Sequence, residues 1–173
     1  DWPVAYDPAW PETFEAEAVR LFANAAFVRI HHMGSTAVPG MFAKPIIDIL
    51  AETESLGAID HASRDLTALG YEARGEYGIA GRRYFRRHDR AGVRTHHLHV
   101  YEVGSAQIER HLMFRDYLRA HPDRAAAYAG FKRVILAGEA GLGQSYAEAK
   151  VELVESLNDE ARAWLALKPS RLP

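Results

Sequence analysis

The chain has 173 residues, 48% of them hydrophobic and 25% charged, with a formal net charge of −2. That size and balance suit one globular domain, or a domain with a helical appendage, able to bury roughly 70% of its unfolded surface. Near-neutral charge makes nucleic acid an improbable partner, the absence of cysteine excludes disulfides and thiol chemistry and fits a reducing cytoplasm, and no apolar run reaches the ~18 residues of a membrane span.

In chain order, DWPVAYDPAW holds three aromatics among prolines and reads as extended. It lacks the pattern of a signal peptide, and a start at Asp1 rather than Met leaves room for a few residues ahead of it. Pro11 suits a first helical position, and Phe14, Val19, Leu21, Phe22 and Ala25 continue a helical stripe to about Ala26. Phe27–His32 reads as a strand, Gly34–Lys44 as a turn-rich stretch, and Pro45–Ala51 as a second strand. Ser55–Leu69 fits a helix closed by Gly70. Tyr71–Gly75 and Arg82–Arg87 are predicted strands, and His88–Gly92 is a hairpin turn into Arg94–Val103. Three helical patterns follow, at about Ser105–Ala120, Asp123–Ala137 and Ser145–Leu167, with glycines at 138, 141 and 143 separating the last two and a tail from Lys168 expected to be disordered. Strands mixed with helices, then a helical run, predict an α+β domain: a sheet-containing core over 1–104 with C-terminal helices over 105–167.

The densest polar chemistry lies in HHMGSTAVPGMFAKPIIDIL, residues 31–50. Gly34 permits a close approach of ligand to backbone, and Ser35 can cap a short helix starting near Thr36. Amides at such a start suit a phosphate. Asp48 sits in an apolar strand, where an acid is costly unless paired or metal-bound. A phosphate cradle facing a carboxylate is what metal-assisted phosphoryl or nucleotidyl transfer requires. The plain alternative is a Gly-Pro loop with a capping serine and a satisfied structural acid.

GSTAVPGMFAKPIID after His31-His32, together with the aromatic-Pro-Trp start, GRRYF (81–85), HLHV (97–100), FRDYLR (114–119), Tyr128 and Lys132, resembles the GrpB family. That family is similar to the nucleotidyltransferase-fold superfamily, whose pattern is a hydrophobic residue, Gly-Ser, a spacer and Asp-x-Asp on a strand. Met33, Gly34, Ser35 and Asp48 match it. The resemblance therefore implies a small mixed sheet with flanking helices, and extends to a domain fused to dephospho-CoA kinase. The second aspartate would fall at position 50, which is Leu50. Glu52, one step along the same strand face, either substitutes for it or is a solvated strand end.

In HHLHV, His97, His99 and Tyr101 share one strand face and His96, Leu98 and Val100 the other. By analogy with the superfamily's third carboxylate, His99, with His97, would stand beside Asp48. Such a set favours Mn²⁺, Zn²⁺ or another transition metal over Mg²⁺, because imidazole is the softer ligand; the expected cofactor is Mg²⁺ or Mn²⁺, with Zn²⁺ as an alternative. The alternative is histidines that only hydrogen-bond within the sheet. Arg82, Arg83, Arg86, Arg87, Arg90 and Arg94 crowd one hairpin, either solvated or feeding a polyphosphate. Lys44 lies between the turn and Asp48. His111, Arg115 and Arg119 share a helix face at i, i+4, i+8, and Tyr128 and Lys132 form another i, i+4 pair.

The expectation is metal-dependent binding of a nucleoside triphosphate or related phosphorylated molecule, with nucleotidyl transfer to a small molecule. Asp48, Ser35 and Lys44 serve the chemistry, Gly34, Ser35, Thr36, Arg83, Arg115, Arg119, Tyr128 and Lys132 the substrate, and Asp48, His97 and His99 the metal. The rivals are an inactive nucleotide or coenzyme A sensor, which Leu50 favours, and a metal-dependent phosphohydrolase.

Overall fold

Pro11 stands in the first turn of α1 (Trp10–Phe22), and Phe14, Ala18 and Leu21 bury its inner stripe. The helix ends four residues before the sequence pattern does. There the Asn24 amide donates to the Arg20 carbonyl at 3.2 Å and closes the last turn. A computed structural model describes residues 3–24, 26–138 and 144–167; the tail from 168 and the glycines at 141 and 143 lie outside them.

Five strands form one mixed sheet: β1 (Arg29–Met33), β2 (Ile47–Thr53), β3 (Tyr71–Ala73), β4 (Arg82–His88) and β5 (Arg94–Glu102), in the order β1-β2-β5-β4-β3. β2 and β5 are the parallel central pair; every other pairing is antiparallel. Alternation sorts their side chains onto two faces. Ile47, Ile49, Ala51, Phe85, Leu98 and Val100 pack with α1 and the helices after β2 into the main core. Asp48, His97 and His99 go to the opposite face.

The helix expected over Ser55–Leu69 is two: α2 (Leu56–His61) and α3 (Ser63–Ala68). Ser55 caps α2 by accepting from the Gly57 amide at 3.1 Å. The break falls at Ala62, where the Ser63 hydroxyl takes the Asp60 carbonyl at 2.9 Å and competes with the helix ladder. Ile59 and Leu66 are nonetheless both buried in the core. Gly70 follows with φ +98°, as a helix-ending glycine does. The hairpin turn is held by Asp89, whose carboxylate accepts from the amides of Ala91 and Val93, each at 2.9 Å.

The chain divides into two compact units, Asp1–Glu109 and Arg110–Pro173. The sheet belongs to the first. The second contains most of α4 (Ala106–Ala120) with α5 (Pro122–Gly138) and α6 (Gln144–Leu167). Within it Leu157 and Ala161 are fully buried. Glu160 on α6 accepts from Tyr117 at 2.7 Å and from both arms of Arg124 at 2.9 and 2.7 Å. Among the described residues no helix is long and apolar enough to cross a membrane.

Candidate functional site

Asp48 occupies the second position of β2, paired with Met33 on β1 and His97 on β5. Directly opposite residues in a sheet share a face. Leu50 pairs with His99, which places His99 one step along the same side. His97 Nδ1 lies 3.3 Å from Asp48 Oδ1, and His99 Nε2 lies 3.6 Å from the same oxygen. Burial pushes the Asp48 carboxyl up, but hydrogen bonding and charge from the two imidazoles outweigh it and hold its pKa down at about 2. The carboxylate is thus ionised at any physiological pH.

Behind each imidazole stands an arginine. Arg94 Nη1 is 3.5 Å from His97 Nε2, and Arg82 Nη1 is 3.3 Å from His99 Nδ1. A guanidinium only donates, so in the neutral ring the nitrogen it faces accepts, and in either protonation state a ring N–H points toward Asp48. The same three side chains each offer a ligand atom within 4.8 Å of the others. One carboxylate and two imidazoles fit a divalent cation. Ligation by a ring requires its proton to leave the Asp48 side for the side an arginine occupies.

Gly34 comes from the turn after β1, at φ +73°. A Cβ there would lie 2.7 Å from Asp48 Oδ2, so only glycine admits this approach of backbone to carboxylate. The expected helix start is corrected by one residue. A single 3-10 turn covers Ser35–Ala37 with Gly34 as its cap, so Ser35 is inside the turn and is not the capping residue. Glycine's positive φ moves the boundary. Thr36 is buried with its hydroxyl 2.8 Å from His32 Nε2, and His32 stacks on Phe14 at 4.8 Å. The Thr36 hydroxyl is thus committed to His32. Lys44 is exposed in the loop before β2.

Leu50 is fully buried. Glu52 is neither a second site acid nor a solvated strand end: it is 6% exposed and bonded to His31 at 2.6 Å and Arg29 at 3.2 Å, because β1 runs antiparallel beside it.

Arg83 faces away from Asp48. It bonds Asp60 on α2 at 2.8 and 3.2 Å. On β4 the parity that meets His97 and His99 belongs to Arg82, Tyr84 and Arg86. Tyr84 packs against both imidazoles, at 5.7 and 5.1 Å between ring centroids. Sequence reasoning noted the arginine crowd and missed Tyr84. Counting alternate residues along RRYFRR opposite HHLHV is the signal that finds it. Arg115, Arg119, Tyr128 and Lys132 lie in the helical unit. There Arg115 bonds Asp116 at 2.9 and 2.8 Å, and Lys132 Nζ sits 4.6 Å from the Tyr128 ring centre.

The family model described as GrpB protein matches residues 4–160. UPF0157 protein YqkA of Bacillus subtilis is 43% identical over 163 residues, covering 93% of this chain and 47% of that relative. The chain thus spans about half that relative's length. The crystal structure of conserved protein GrpB from Enterococcus faecalis is 36% identical, covers 94% of this chain and 99% of its own, and superposes with a TM-score of 0.78. The Cid1 poly(U) polymerase bound to MgATP is 10% identical, covering 76% of this chain and 44% of its own, with a TM-score of 0.56. That likeness is one of fold: nucleotidyltransferase-like, as the sequence pattern implies. The chain belongs to the GrpB family.

Proposed function

We propose that this GrpB family member binds a nucleoside triphosphate with a divalent metal and transfers its nucleotidyl group to a small molecule. The observation that supports it most is the meeting of Asp48 with Gly34. An ionised carboxylate is pressed against a side-chain-free turn, the pairing that metal-bridged phosphate oxygens would use. A protein of the same fold is bound to MgATP.

In this reading Ser35 and the backbone at Gly34 and Thr36 hold the phosphates, and exposed Lys44 offsets their charge. Asp48, His97 and His99 would hold Mg²⁺ or Mn²⁺, with Zn²⁺ admitted by the imidazoles. The bound metal supplies charge neutralisation at the transferring phosphorus. The test is calorimetric titration of a nucleoside triphosphate with Mn²⁺ into the wild type and into Asp48→Asn. Binding that depends on both metal and Asp48 supports the reading; equal affinity overturns it.

The burial of Leu50 favours a second reading, a nucleotide-binding domain without transfer. No second acid stands at its place in Asp-x-Asp, and two-metal chemistry lacks its usual ligand set. Pyrophosphate release in the presence of candidate acceptors separates the two readings, and release of phosphate alone would indicate hydrolysis.

A further inference from the structure

The sheet order gives Asp48 two flanks. Toward β1 lies the Gly34-Ser35 turn. Toward β4 lies a stack of rings and guanidinium groups that the phosphate-binding reading leaves without a task. Tyr84, 5% exposed, sits against His97 and His99. Tyr77, 52% exposed, stacks on Tyr84 with centroids 5.2 Å apart and planes 29° from parallel. Arg86 lies 4.9 Å from the Tyr77 ring centre and 5.3 Å from that of Tyr84, and it donates to both phenol oxygens, at 2.9 and 3.1 Å. Arg82 lies 4.9 Å from the Tyr84 ring centre.

Two further features set this cluster apart from ordinary packing. Tyr77 is the one non-glycine residue with positive φ among the described residues, at +48°. Such a conformation persists only where its surroundings impose it. Arg82 does so, donating to the carbonyls of Tyr77 at 2.8 Å and Glu76 at 3.1 Å. Moreover, neither Arg82 nor Arg86 pairs with a carboxylate among the described residues. Their partners are carbonyls, phenols and His99 Nδ1. Arg82 is nonetheless only 7% exposed, and a buried cation without an anion is costly. An open ring beside two uncompensated cations attracts a flat, anionic ligand through stacking and charge together.

We propose that Tyr77 and Arg86, backed by Tyr84 and Arg82, form a binding subsite for a planar aromatic ring carrying an anionic group such as a phosphate. Its place as the subsite of the second reactant rests on the transfer reaction proposed above; the binding itself does not. The ligand ring stacks on the exposed part of the Tyr77 ring, whose centre Arg74 also approaches at 6.0 Å, and its anion meets Arg86 on the β4 side of Asp48, opposite the phosphate turn, with buried Arg82 acting from behind.

The test uses adenosine 5′-monophosphate as probe, titrated calorimetrically without metal or triphosphate. Adenosine and ribose 5-phosphate serve as controls that lack the anion and the ring. The monophosphate should bind at least tenfold more tightly than either control. Tyr77→Ala and Arg86→Gln should each weaken it by about tenfold, the range expected for one lost stacking or charged contact, while Tyr77→Phe retains it. Asp48→Asn should leave it intact, so a failed metal site and a failed ring subsite are told apart. The proposal is overturned by no binding at millimolar probe, by affinity indifferent to both Tyr77→Ala and Arg86→Gln, by controls binding as well as the monophosphate, or by binding lost with Asp48→Asn.

Discussion

Two carboxylates on opposite faces of the sheet, Glu17 and Asp48, stand among basic groups and are held differently. On the core face Glu17 of α1 is 3% exposed. Arg20 reaches its two oxygens at 3.0 and 2.9 Å, Tyr71 donates to one at 2.9 Å, and Arg87 to the other at 2.6 Å. Four bonds fill the carboxylate's capacity. His96 Nε2 stands 3.8 Å away with no hydrogen-bond partner, and burial pushes its pKa down to about 4, so it remains a neutral member of the core. On the other face Asp48 keeps 30% of its side chain exposed, and both imidazoles approach one oxygen at the long distances of 3.3 and 3.6 Å. The other oxygen faces Gly34. A saturated acid ties elements together; an unsaturated one, held ionised, has capacity left for a ligand.

The most severe way to break this contrast is to add an acid at a fully buried position of the same face. Leu50 lies between Asp48 and Glu52 on the same face and is fully buried. Leu50→Asp should therefore cost about 3 kcal/mol of stability, the penalty for burying a charge and losing a packed side chain, even with His31 and His99 on either side, with no gain in transfer. Urea unfolding measures the loss. A stable variant with increased pyrophosphate release would show instead that position 50 opens onto the site and that the centre is a degraded two-metal one. On the core face, Glu17→Gln strips two arginines of their partner and should cost about 3 kcal/mol in the same unfolding experiment.

Asp48→Asn sharpens the contrast from the other side. It should reduce metal-dependent triphosphate affinity about a hundredfold, by loss of the anionic metal ligand. Stability should fall by about 2 kcal/mol or less, because the contacts it removes join β2 to β5, which are already paired through their backbones. A stability loss matching that of Glu17→Gln would mean that Asp48 is a structural acid like Glu17.

The contrast was only half legible in the sequence. Asp48 was visible because an acid in Ile-Ile-Asp-Ile-Leu violates the apolar pattern of a buried strand, and the Gly34-Ser35 spacing supplied its partner. The shared face of His97 and His99 follows from period two alone. Glu17 was not visible: on a helix with other acids nothing marks it, and its partners lie 54 and 70 residues away on two strands. Arg83 was singled out over Arg82 and Arg86 because the pairing register of β4 with β5 is a tertiary fact; once known, it assigns faces at a glance. The Ala62 break and the burial of Glu52 likewise depend on competing local bonds and on a neighbouring strand, which residue periodicity does not report.

The smallest expected effect bears on what the histidines do. As the protein stands, each ring points its N–H at Asp48 and meets an arginine with its other nitrogen. For His97 to ligate through Nδ1, its proton must move to Nε2, where Arg94 presents another donor at 3.5 Å. Arg94→Gln replaces that obligate donor with an amide that can also accept. It should raise the affinity for Mn²⁺ or Zn²⁺ by about tenfold, the scale of changes behind a ligating imidazole. Removing a positive charge also helps every divalent cation at Asp48, Mg²⁺ included, so the absolute gain decides nothing. The ratio decides: ligation by the soft imidazole raises Mn²⁺ over Mg²⁺, whereas relief of charge raises both alike. His99→Ala supplies the opposite sign, lowering Mn²⁺ more than Mg²⁺. Equal responses of the two metals in both variants would leave Asp48 as the ligand of the set and make the histidines, like the arginines around Glu17, groups that only orient an acid.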